Sequence, residues 1–217
     1  ADNNTAVGHT SLFTNTTGAE NTAIGYASLY ANTTASYNTA VGRSALQANT
    51  TGAYNVAVGY DVAVANTTGA RNLAIGANAY NSSDTENDNL AIGYDAMTIN
   101  TAGGTKNVAV GNYALDALTS GDNNTVVGYQ AGTSNNTGGN NTALGSEALR
   151  DNTTAGNNVA IGVFSLKVNT TGASNTAVGK GTLEANTTGA QNTAVGEGAL
   201  DANTTANNNT ALGFDAL

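Results

Sequence analysis

Small apolar residues alternate with polar ones in one short pattern that returns along the whole chain. The pentapeptide Asn-Thr-Ala-Val-Gly, or a close variant, begins at Asn4, Asn21, Asn38, Asn55, Asn72, Asn89, Asn107, Asn124, Asn141, Asn158, Asn175, Asn192 and Asn209. Successive copies are 17 residues apart, except for a step of 18 from Asn89 to Asn107. Self-similarity at a fixed period marks a stack of repeating units. Residues 1–217 are therefore read as a single repeat array. With the Asn of each pentapeptide as column one, the consensus is N-T-A-V-G-x-x-A-L-x-A-N-T-T-G-A-x.

Columns two to four alternate as a strand does. Column two is Thr, Val or Leu, column three is Ala or Val126, and column four is Val, Ile or Leu. Period-two alternation puts columns two and four on one face and column three on the other. Hydrophobicity assigns the Val/Ile face to the interior and the Ala face to the outside. The Gly of column five ends the strand. Column nine is mostly Leu, as at Leu29, Leu46 and Leu166, between small neighbours. This predicts a second short strand with Leu pointing inward. The Asn-Thr-Thr-Gly-Ala stretch reads as the turn into the next unit.

Two helices do not fit in 17 residues, and regular Asn, Thr and Gly would break one long helix. Asn-Gly and Asp-Gly, the strongest two-residue hairpin signals, never occur. The predicted fold is all-β: a β-solenoid, or β-roll, of about 13 coils with two short parallel-stacked strands per coil. Inward Asn and Thr would need partners, most simply the same residue one coil away, forming ladders.

Composition narrows the chemistry. Ala, Asn, Thr and Gly fill 134 of 217 positions, which suits a thin layered coil and not a thick core. There is no Cys and a single His, His9, so a catalytic triad is not expected and no Cys/His zinc cluster can be built. No disulfide forms, and the redox compartment stays open. The net charge of -9 opposes nucleic acid and anionic membrane surfaces as partners. No apolar run approaches a membrane span or a signal-peptide core, so membrane insertion is not expected, and the chain reads as soluble, any export signal having been removed or never having been part of this sequence. No cofactor is implied.

Charge is distributed unevenly among the columns. No Asp, Glu, Lys or Arg falls in columns one to five of any unit. With columns two and four inside, the remaining uncharged strip is column three flanked by the Asn of column one. It comprises Ala6, Ala23, Ala40, Ala57, Ala74, Ala91, Ala109, Val126, Ala143, Ala160, Ala177, Ala194 and Ala211. Small residues let another surface approach closely, so this strip is the expected interface. The alternative is that a narrow coil simply fits nothing larger there.

The repeated element resembles the head repeats of trimeric autotransporter adhesins, the YadA-type β-roll with its N-S-V-A-I-G element. The matching stretches are Asn-Asn-Thr-Ala-Val-Gly at 3–8, Asn-Asn-Val-Ala-Ile-Gly at 157–162 and Asp-Asn-Leu-Ala-Ile-Gly at 88–93. The family's repeat is about fourteen residues, so the outer turn must differ here. The arrays are also similar to those in stalks of phage-type tail fibres. Both resemblances imply a homotrimer of three rolls around an axis, an extracellular setting on a cell surface or virion, and a role as adhesin head or fibre stalk. The Ala strip would then be the axial contact, and a host surface or glycan a further partner.

Other features have competing readings. Tyr26, Tyr60, Tyr94, Tyr129 and Phe214 share column six and suggest a glycan-stacking row or a stacked surface ladder. Asp84, Glu86 and Asp88 alternate in the least regular unit and are a weak metal candidate beside a solvated bulge. Asn-x-Ser/Thr sequons, among them Asn15, Asn32, Asn49 and Asn66, arise from the repeat itself. His9 reads as an inert surface residue. Glu184 and Asp201 share column ten without a cleft-forming loop, so an enzyme is not expected. Neither end has a distinct capping unit, which suggests a fragment of a longer fibre or rods stacking end to end. Three functions are compatible with these features: a structural fibre segment, an ice-binding solenoid using flat Thr/Asn/Ala rows, or a subunit of an end-to-end filament.

Overall fold

The computed structural model describes residues 2–100 and 103–217. They form a parallel β-solenoid with a 17-residue period and 13 strands, and no helix occurs among the described residues. The chain divides into two compact units, Ala1–Lys106 and Asn107–Leu217. The division directly follows the one repeat of 18 residues.

In the first unit, β1 (Thr5–Val7), β2 (Thr22–Ile24), β3 (Thr39–Val41), β4 (Val56–Val58), β5 (Leu73–Ile75) and β6 (Leu90–Ile92) pair in chain order, all parallel. In the second, β7 (Val108–Val110), β8 (Thr125–Val127), β9 (Thr142–Leu144), β10 (Val159–Ile161), β11 (Thr176–Val178), β12 (Thr193–Val195) and β13 (Thr210–Leu212) do the same. Like columns pair with like: Ala23 lies opposite Ala40, and Ala160 opposite Ala177.

Among the described residues each coil has one strand, not two. The expected second strand is a run of turns containing left-handed residues, such as Ala27 (φ 53°) and Leu29 (φ 49°). A non-Gly residue in that region costs on the order of 1 kcal/mol. The turns still bond coil to coil: the Leu29 amide donates to Ala45 O at 3.0 Å and the Ala31 amide to Gln47 O at 2.9 Å. The Leu of column nine does point inward, and Leu29, Leu46, Leu115, Leu149, Leu166 and Leu183 are fully buried.

The alternation of columns two to four is as predicted, but the faces are reversed. Ala6 is exposed on the first coil, while Ala23, Ala40, Ala57, Ala74, Ala91, Ala109, Val126, Ala143, Ala160, Ala177, Ala194 and Ala211 are buried. The Ala strip is therefore the inner wall and not an outer interface. The reason is volume. The strand wall faces the column-nine Leu across a gap that admits a methyl group and little more. The one coil with Val at column three, Val126, has Gly132 at column nine in place of Leu. A Cβ on Gly132 would lie 3.5 Å from Val126 Cγ2, so the two columns share one space.

Two Asn columns line the interior as hydrogen-bonded ladders. Column one serves the backbone: Asn21 Oδ1 accepts from the Asn38 amide at 3.0 Å, and Asn21 Nδ2 donates to Ala35 O at 2.8 Å. Column twelve bonds to itself. Asn32 Nδ2 donates to Asn15 Oδ1 (2.9 Å), Asn49 Nδ2 to Asn32 Oδ1 (3.1 Å) and Asn66 Nδ2 to Asn49 Oδ1 (2.9 Å). In the second unit the same ladder runs Asn135, Asn152, Asn169, Asn186, Asn203. These bonds give a buried polar interior its partners without a bulky core.

Candidate functional site

With Ala inside, the large β-branched residues face out. Column four presents Val, Ile or Leu on every coil, and column two adds Thr, Val or Leu. Ile24 is 40% exposed and Ile75 37% exposed, although neighbouring coils flank both residues. In the first unit Val56, Leu73 and Leu90 stand beside Val58, Ile75 and Ile92, a wholly apolar block of three consecutive strands. In the second unit Val159 and Ile161 form a similar pair between Thr-bearing strands. Contiguous apolar surface of this kind marks interaction sites on soluble proteins.

The face carries no charge, and charges elsewhere pair both across neighbouring coils and within one coil. Arg71 binds Asp88 through Nε at 2.6 Å and through its terminal nitrogen at 2.9 Å. That hydrogen bond, ahead of the charge of Arg71 itself, holds the Asp88 carboxyl below the usual carboxylate range. Arg43 reaches Asp61 at 3.2 Å, and Lys180 reaches Glu197 at 3.1 Å. Arg150 sits between Glu147 and Asp151, at 2.7 Å from each.

Asp84, Glu86 and Asp88 do not converge on a cation. Glu86 is buried, with Oε2 accepting from the amides of Asp84 (2.8 Å) and Thr85 (3.0 Å) and Oε1 from that of Gly103 (3.1 Å). Asp84 accepts from the Thr67 hydroxyl and Asp88 is held by Arg71. Among the described residues no group of three metal-ligating side chains is assembled. The irregular unit departs from the consensus at two buried columns. Tyr80, fully buried, replaces Leu at column nine, and Ser83 replaces Asn at column twelve. The ladder stops there, and Asn66 Oδ1 has no partner. Burial pushes the Tyr80 hydroxyl above its ordinary pKa. Neither substitution has a signal in spacing, but both stand out against the column consensus.

The column-six aromatics do not form one row. His9 stacks on Tyr26 with ring centres 5.5 Å apart, Tyr60 lies under Arg43 at 5.1 Å, and Tyr129 meets Tyr113 edge-on at 6.1 Å. His9 is thus a stacking partner for Tyr26. The sequons Asn32, Asn49 and Asn66 are buried in the ladder with their Nδ2 atoms in use, so they offer no accessible acceptor in the folded chain. Glu184 and Asp201 share an open groove of about 420 Å3 with Val168 and Ala185. Among the described residues no helix is long and apolar enough to cross a membrane. No model of a known protein family matches the chain, and no curated protein matches it.

Proposed function

We propose that this chain is a non-catalytic structural segment of an extracellular fibre, self-associating through the outward face of its strands. The observation that supports it is the apolar, uncharged rank of columns two and four. A sheet face of Val, Ile and Leu facing water is costly at about 25 cal/mol per Å2 of apolar surface, and a second copy offers the same uncharged face in return. The resemblance to YadA-type head repeats and tail-fibre stalks favours a homotrimer, with an adhesin head or stalk as its setting on a cell surface or virion. The contact then lies on columns two and four and not on the buried Ala of column three.

The test is the mass in solution. Wild-type chain is expected to sediment as an oligomer, and the double substitution Ile75→Glu with Ile161→Glu is expected to sediment as the 21.5 kDa monomer with an unchanged circular dichroism spectrum. Ser174→Glu, on a column away from the strands, should leave the oligomer intact. A monomeric wild-type chain sinks the proposal.

A second reading, ice binding, rests on one observation. Thr5, Thr22 and Thr39 stand in register on the outward face, as do Thr176, Thr193 and Thr210. Its Asn/Ala rows, however, lie inside. Absence of thermal hysteresis in concentrated protein rules it out.

A further inference from the structure

Stacked ring pairs of the first unit include His9 on Tyr26, Phe13 on Tyr30, and Tyr37 on Tyr54. Of these three, the last pairs two phenols. Tyr37 and Tyr54 occupy column seventeen of adjacent coils, with ring centres 4.9 Å apart and planes within 3°. Both rings are about half exposed, at 47% and 58%. Their backbones are fixed one coil apart, since the Tyr37 amide donates to Ala19 O and the Tyr54 amide to Ser36 O. Column seventeen lies off the strand face, so the chemistry of this ring pair does not depend on self-association.

We propose that Tyr37 and Tyr54 are an oxidative cross-linking site, joined as dityrosine by a peroxidase-type oxidant using hydrogen peroxide. Each phenol loses one electron and one proton to become a phenoxyl radical, whose unpaired spin is shared with the ring carbons ortho to oxygen. The two radicals join by a carbon–carbon bond between ortho carbons. The hydrogen on each bonded carbon then moves to the oxygen and restores both phenols. The protein loses two hydrogen atoms in all, and hydrogen peroxide is reduced to two waters. The oxidant supplies the radicals, and coupling then needs the two rings side by side, which the coil stack already provides. The product staples adjacent coils covalently.

Two further stacked tyrosines and one edge-on pair differ from this arrangement. Tyr26 and Tyr30 stack on rings that are not phenols. Tyr113 and Tyr129 meet edge-on at 6.1 Å and 85°.

The experiment treats dilute purified chain with peroxidase and hydrogen peroxide, followed by trypsin. Cleavage after Arg43 and Arg71 places Tyr37 in residues 1–43 and Tyr54 in residues 44–71. The expected product is these two peptides joined, two hydrogens lighter than their sum, with blue dityrosine fluorescence and fragment ions that locate the bond at Tyr37 and Tyr54. Tyr37→Phe and Tyr54→Phe keep a ring in the stack and should reduce the joined peptide to background. Tyr26→Phe and Tyr60→Phe should leave its yield unchanged. Coupling through Tyr26, Tyr30 or Tyr60, an undiminished yield in Tyr37→Phe, or cross-links only between chains would overturn the assignment.

Discussion

Gly42→Ala is expected to destabilise the first unit by about 4 kcal/mol or more, at the severe end of single substitutions. Two costs combine. Gly42 has φ +133°, a region L side chains rarely adopt, and forcing Ala into such a conformation costs about 1–3 kcal/mol. The added methyl would also overlap the backbone of the next coil, meeting the carbonyl oxygen of Gly59 and lying 2.7 Å from its carbonyl carbon. Backbone cannot swing aside as a side chain would. The coils would have to separate where the Gly59 amide donates to Val41 O at 2.9 Å. Gly213→Ala isolates the first cost, since Gly213 has φ +129° but its added Cβ would meet nothing nearer than 3.9 Å. Amide hydrogen exchange in β3 and β4 for Gly42→Ala, and in β12 for Gly213→Ala, reads each cost locally, which suits an array whose coils open separately. Equal losses of protection at the two sites would show that the close approach of Gly59 contributes nothing.

The same closeness explains which features of the fold are legible in the sequence and which are concealed. The 17-residue period, the position of each strand, the inward Leu of column nine and the need for polar ladders are all legible. The direction of the strand faces is not. Alternation fixes which residues share a face but not which face is inside, and hydrophobicity ranks Val and Ile above Ala for burial. In a coil this thin, volume outranks hydrophobicity. The deciding signal lies in one unit, where Val126 replaces Ala and Gly132 replaces Leu six residues later. Such a trade in size makes sense only if columns three and nine face each other. The second strand is expected and absent for a related reason. Leu between small residues marks burial on a turn as well as on a strand, and the left-handed residues that make the turn, such as Leu29 and Leu46, are not types that announce φ > 0. For Asp84, Glu86 and Asp88 the spacing suggests a metal, whereas the informative comparison is by column: Tyr80 too large, Ser83 too small, and Glu86 where other coils have Gly or Ala. With the faces reversed, the proposed interface moves from column three to columns two and four. Burial cannot account for the absence of charge from columns two and four, because those columns face outward, and their lack of charge supports association instead.

Asn49→Ala should cost about 3–5 kcal/mol, although it removes only a short polar side chain. Asn49 is fully buried. Its Nδ2 donates to Asn32 Oδ1 at 3.1 Å and to Gly52 O at 2.9 Å, and its Oδ1 accepts from Asn66 Nδ2 at 2.9 Å. Truncation strands two buried groups, the Asn32 Oδ1 acceptor and one Nδ2 hydrogen of Asn66, each costing about 1–3 kcal/mol, while Gly52 O keeps its bond from Asn38 Nδ2, and it leaves a small void between coils. No water is expected to restore all the lost bonds, because the space freed is that of one amide. The natural interruption of the ladder supplies a graded comparison. Asn66 Oδ1 is already without a partner because Ser83 follows it, so Asn66→Ala loses only the bonds made by Nδ2, to Asn49 Oδ1 and Gly69 O. Asn203 is only part-buried, and its bond to Ala206 O is longer, at 3.2 Å. The expected order of destabilisation is Asn49→Ala, then Asn66→Ala, then Asn203→Ala, measured as loss of amide protection in the flanking coils. Were all three to cost the same, the ladder would be mere filling, and the shape of the side chain, not its chain of hydrogen bonds, would be what holds adjacent coils together.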